Sequence, residues 1–102
     1  MRMIMYVSFP VETFNAAVRD GSAGTKMKRI LDDLKPEAVY FTDRHGQRSG
    51  VLIVDLKDPS QIPVIAEPWF LLFDAGVEIH PVMGPPDLAA AGLEELGKKW
   101  SE

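Results

Sequence analysis

One acid and one imidazole stand two residues apart near the end of this 102-residue chain, in the alternating stretch Gly76-Val-Glu-Ile-His-Pro-Val-Met83. Read as a strand, the stretch sends Val77 and Ile79 to one face and Glu78, His80 and Val82 to the other, because successive strand side chains face opposite sides of a sheet. Residues i and i+2 on a strand lie about 7 Å apart, near enough for long side chains to meet. A histidine beside a carboxylate is a unit of general acid–base chemistry, with His80 as the candidate catalytic base and Glu78 as the acid that orients it. The same pair would also serve as a strand-edge ion pair or a contact between subunits, and both readings stay open.

Other chemistry-bearing residues are few. Tyr6, Tyr40, Ser8 and Thr42 fall on alternating positions of two further strands. If the first strand lies beside the fourth, Tyr6 approaches His80, and the four residues form a candidate ligand-binding set that would orient a small polar-aromatic molecule. Packing across a dimer interface, where tyrosine is enriched, uses the same residues. A metal site needs three or more ligands. The chain has two histidines, and His45 sits in a polar connection, Arg44-His-Gly-Gln-Arg48, read as a solvated hairpin tip, so no metal is expected. No cofactor is expected either. There is no dinucleotide fingerprint, and Gly21-Ser-Ala-Gly24 lacks the context and the lysine–hydroxyl ending of a phosphate loop. Ser8, Ser22, Ser49 and Ser60 have no nucleophile-elbow setting.

These residues must be positioned by one small domain, expected to span residues 1–102. A chain this short buries a modest core, so a second subunit would help to cover its apolar surface. A net charge of −4 argues against a broad grip on nucleic acid or an anionic membrane. The absence of cysteine excludes disulfides, thiolate metal sites and cysteine nucleophiles, and fits an intracellular protein. The apolar run Met3 to Phe9 is too short for a signal-peptide core or a bilayer span, so a cytoplasmic location is the expectation.

Met1 to Phe9 reads as a first strand, with Met3, Met5, Val7 and Phe9 on one face and Arg2, Ile4, Tyr6 and Ser8 on the other. Pro10 to Leu34 reads as a helix kinked or interrupted at Gly21-Ser-Ala-Gly24, where its apolar stripe slips by about 140° at ~100° per residue. Ala38 to Asp43 and Gly50 to Leu56 read as strands joined closely enough to form an antiparallel hairpin. The next helix starts at Lys57-Asp-Pro-Ser-Gln61, with Asp58 as the expected N-cap, Pro59 as first residue and Gln61 closing a capping box. Pro63 and Pro68 predict that it is bent or split before Gly76 ends it. Gly76 to Met83 is the fourth strand, and Asp87 to Trp100 a last helix with acids early and lysines late. The order is β-α-β-β-α-β plus a tail helix, an α+β fold of the ferredoxin-like type with a four-stranded antiparallel sheet. Helices then cover one face of that sheet. The other face carries Ile4, Tyr6, Tyr40, Val51, Ile53 and Val82, an exposed apolar patch of the kind that marks an interface. The simplest cover is the same face of a second subunit, giving a dimeric α+β barrel.

In the segments Lys-Pro-Glu-Ala-Val-Tyr-Phe-Thr (35–42), Ala-Glu-Pro-Trp-Phe-Leu-Leu-Phe (66–73) and Val-Glu-Ile-His-Pro-Val-Met (77–83), the chain resembles the small bacterial dimeric α+β barrel proteins of unknown function. More distant relatives of that barrel include cofactor-independent monooxygenases, muconolactone-type isomerases and stress-responsive barrel proteins. The resemblance implies a homodimer with a cavity between the sheets, and carries no reaction across, since fold does not imply function. Two functions are therefore expected: a homodimer that binds a small organic molecule or a protein partner, or a cofactor-independent enzyme of isomerase or monooxygenase type using the His80–Glu78 pair.

Overall fold

The computed structural model describes residues 1–101. Its elements, in order, are β1 (Arg2–Ser8), α1 (Val11–Asp20), α2 (Ala23–Leu34), β2 (Ala38–Arg44), β3 (Gln47–Asp55), α3 (Gln61–Phe73), β4 (Gly76–Pro81), α4 (Pro85–Ala90) and α5 (Leu93–Trp100). The four strands pair antiparallel in the order β2-β3-β1-β4. With α1 and α2 together standing as the first helical element, this is the ferredoxin-like arrangement, and β1 lies beside β4.

The strand alternation decides which side is core. Met3, Met5, Val7, Leu52 and Val54 are buried under the helices. The aromatic residues Phe9, Phe14, Trp69 and Phe73 close one end, with Phe9 edge-on to Phe14, Trp69 and Phe73 at 5.0, 5.9 and 5.2 Å between ring centroids. The slip in the apolar stripe is resolved by a full break between α1 and α2. Gly21 takes the left-handed conformation (φ 81°) that glycine adopts without strain, and the Ser22 N–H donates back to the Ala17 carbonyl at 2.9 Å.

Four local expectations are corrected. The connection 44–48 contracts to a two-residue turn, because His45 and Gly46 both take positive φ (53° and 74°) and bring Arg44 opposite Gln47. That geometry matches the twist of a hairpin, so Arg44, Gln47 and Arg48 belong to the strands. Asp58 is no N-cap. Ser60 occupies the cap position of α3, while Asp58 accepts the Ser60 N–H at 2.9 Å, and Gln61 accepts the Lys57 N–H at 2.7 Å. The helix α3 is continuous: Pro63 falls in its first turn, where the missing N–H has no intrahelical partner to lose, and Pro68 is carried inside without a break. Finally, the tail is two helices, separated by Gly92 at φ 72°.

The Asx turn at Asp58 makes a pH prediction. The Ser60 hydroxyl, and then the Ser60 N–H, hold the Asp58 carboxyl below its usual value of 3.8. A carboxylate whose pKa is lowered by folding stabilises the fold above its unfolded value and loses that contribution as pH falls through the folded one. Asp58→Ala is therefore expected to be less stable than wild type at neutral pH, with the gap narrowing as pH drops below the usual carboxylate range. Urea midpoints measured across acid pH check this, and a gap that stays constant would remove the carboxylate as its cause.

The molecule is long, 60 × 29 × 20 Å, with a radius of gyration of 17.5 Å, against about 13 Å for a compact chain of this length. The extra length is the tail: no residue of α4 or α5 is buried.

Candidate functional site

The helix-free face of the sheet is organised by register into cross-strand rows. One row reads Ala38–Ile53–Ile4–His80 from β2 to β4, and the next reads Tyr40–Val51–Tyr6–Glu78. A third begins Thr42–Ser49–Ser8 and ends on Gly76. The middle of the face is apolar and half-buried at Ile4, Tyr6, Val51 and Ile53. Polar groups gather along the β4 side and at the hairpin end.

Glu78 and His80 do share this face. The Glu78 Oε2 lies 3.6 Å from His80 Nε2, with both side chains more than half exposed. That separation is beyond hydrogen-bond reach, so the two groups are neighbours without being a locked dyad. Tyr6 stands directly opposite Glu78, and its ring meets that of His80 in an edge-to-face contact at 6.4 Å between centroids. The strand order thus brings together Tyr6, Glu78 and His80. It keeps Tyr40 apart: Val51 intervenes between Tyr40 and Tyr6, and Tyr40 is 68% exposed at the β2 edge. Ser8 and Thr42 sit one row further on, with Ser49 between them.

A fourth member of the cluster was missed by sequence reasoning. The Arg44 guanidinium lies over the Tyr6 ring, 4.6 Å from its centroid. A guanidinium over an aromatic face is held by the ring quadrupole, and its outward N–H groups stay free to donate. Its signal was hidden because positions 44–48 read as a loop tip; only the two-residue turn places Arg44 in the sheet. Arg48 behaves differently: alternation puts it on the helix side of β3, where it donates to Asn15 Oδ1 at 2.8 Å and covers Phe14 at 4.8 Å.

Arg44, Tyr6, His80 and Glu78 together offer a fixed positive charge, a phenol, an imidazole and a carboxylate beside an apolar floor. Such a set suits a small molecule with an apolar body and an anionic or polar head, the head directed to Arg44. In the single chain the set is open to water. Among the described residues, no group of three or more His, Asp or Glu side chains could hold a metal ion. No helix of the described residues is long and apolar enough to cross a membrane. No known protein-family model matches the chain, and no curated protein matches it.

Proposed function

We propose that this chain acts as a homodimer of the dimeric α+β barrel type, in which the open faces of two sheets pack together and close a small-molecule site around Arg44, Tyr6, His80 and Glu78. One observation carries the reading: a four-strand face with an apolar middle and a polar cluster at its side, left uncovered by the chain's own helices. Contiguous apolar surface rimmed by polar residues supports an interface, and the two-fold self-association of one face is the simplest cover. The ligand is a small organic molecule carrying an anionic group. The resemblance to small bacterial barrel proteins supports the same assembly, and the cysteine-free composition fits a cytoplasmic setting.

The test has two parts. Sedimentation equilibrium over a concentration series is expected to show a monomer–dimer equilibrium; a monomer throughout would sink the reading. Thermal melting against a panel of small carboxylates is then expected to give a shift that is lost in Arg44→Ala and His80→Ala, since a ligand at about 100 times its Kd stabilises by about 2.7 kcal/mol. If no carboxylate moves wild type, the small-molecule site is wrong and the dimer alone stands.

Glu78 stands beside His80 at 3.6 Å, and catalytic hydrogen bonds that are long in an open site tighten in the complex; this favours a second reading, an enzyme in which His80 takes a proton and a closed-in Glu78 orients it. Turnover of a bound carboxylate that disappears in His80→Ala, while Arg44→Ala weakens binding, would select it. Binding with no chemistry in wild type would select the non-catalytic module.

A further inference from the structure

The C-terminal arm is the least explained part of the molecule. Leu93, Leu96 and Trp100 recur at helical spacing on α5, and at ~100° per residue they form one stripe, flanked by Lys99 on one side and Glu94 on the other. All three are exposed, Trp100 at 74%. Elsewhere on the surface lies an open groove of about 760 Å³ between α2 and α3. Its apolar lining includes Ile30, Val64, Leu71 and Leu72. Charged groups line it as well: Arg29, and the acids Asp32, Asp33 and Glu67.

We infer that α5 docks its Leu93–Leu96–Trp100 stripe in the α2–α3 groove of a second copy of this chain, each subunit of the dimer lending its arm to the other. The inference rests on the dimer reading above and adds the part that exchanges. Two observations commit it to a second copy. First, the arm has little slack with which to fold back. The Val82 N–H still donates to the Arg2 carbonyl at 3.1 Å, and the Gly84 N–H donates to Asp87 Oδ2 at 2.8 Å, which leaves Met83 alone between two tied residues. Pro85 and Pro86 stiffen the start of α4 beyond it. Second, shape and charge agree. The stretch Pro63–Leu72 of α3 along the groove is about 15 Å long and α5 about 12 Å at ~1.5 Å per residue. With Lys99 and Glu94 on opposite flanks of the stripe, Lys99 turned to the α3 wall meets Glu67 while Glu94 turned to the α2 wall meets Arg29.

Trp100 reports the docking directly. The chain's other tryptophan, Trp69, is fully buried and gives a constant background. On raising the concentration of the full chain through its dimerisation range, tryptophan emission is expected to shift to the blue, and Trp100→Phe to abolish that shift. Leu71→Glu, placed on the groove at a residue 77% exposed in the single chain, is expected to leave folding intact, keep Trp100 in water at every concentration and weaken dimerisation about tenfold. A wild-type dimer whose Trp100 emission ignores concentration overturns the exchange and leaves the sheet-to-sheet dimer standing. Blue emission that persists in the monomer means that the arm folds on its own chain, and also overturns it. A chain that stays monomeric overturns both proposals.

Discussion

Trp69→Ala is expected to destabilise the protein by about 3–5 kcal/mol, the range for truncating a large buried aromatic side chain. That is a large share of the ~5–15 kcal/mol by which small domains are stable. Trp69 is fully buried on α3 and packs against Phe9, at the end of β1, and Phe73, one α3 turn onward. Phe73 in turn stacks on Phe14 of α1 at 5.3 Å. Removing the indole therefore leaves a void at the point where a strand and two helices meet, and the surrounding rings cannot collapse into it without leaving their edge-to-face geometry. Trp69→Phe separates packing from polarity. The indole Nε1 is buried with no hydrogen-bond partner among the described residues, and an unsatisfied buried donor costs about 1–3 kcal/mol. Phenylalanine removes that donor while keeping a ring, so part of its lost packing is offset and its loss should be far smaller than that of alanine. Urea unfolding followed by far-ultraviolet circular dichroism checks both. A loss below about 1 kcal/mol for Trp69→Ala would mean that this aromatic cluster does not hold the elements together.

Strands and their facing were legible in the sequence because alternation is a local property. Met3, Met5 and Val7 against Ile4 and Tyr6 divide β1 whatever its neighbours are. Turn chemistry was harder to read. Gln47 and Arg48 are polar because an exposed hairpin end is solvated on both sides, and polarity there looks like loop. The break at Gly92 was invisible for a related reason: the residues on either side carry helical spacing, and a glycine at φ 72° differs from a helical glycine only in backbone angle. Asp58-Pro59 satisfied a capping pattern, and the carboxylate does accept the Ser60 N–H two residues on, but in a turn that precedes the first α-helical residue, Gln61.

Of the candidate site, Glu78 and His80 were legible as a pair, being two residues apart on one strand. The approach of Tyr6 to His80 followed once β1 was taken to neighbour β4. Arg44 was out of reach, since its place over Tyr6 depends on a register set by the two-residue turn and crosses an intervening strand. Tyr40 was grouped with Tyr6 because both alternate correctly; that β3 separates them is a fact of strand order.

For the proposed open-face dimer, Ile53→Glu is expected to abolish dimerisation while leaving the monomer folded. Ile53 stands mid-row between Ala38 and Ile4 on the open face and is half-buried in the single chain. A glutamate there keeps its charge in water in the monomer, and the change in strand preference costs at most about 1 kcal/mol. Two-fold packing of the open faces would place one such carboxylate from each subunit in the interface, because an isologous contact presents every substitution twice. An unpaired buried charge costs several kcal/mol. At ~1.4 kcal/mol per tenfold, two of them weaken the dimer by 10³-fold or more. The sign of the pH effect follows from the same cause. Protonation removes the charge, so association of Ile53→Glu should recover in part as pH falls through the carboxylate range, where wild type gains nothing from this position. Val18→Glu, on the exposed side of α1, supplies the control and should dimerise as wild type does. Sedimentation of the three proteins, with circular dichroism to verify folding, decides the matter: a folded Ile53→Glu that dimerises like wild type places the interface elsewhere and leaves the Arg44–Tyr6–His80–Glu78 cluster open to solvent.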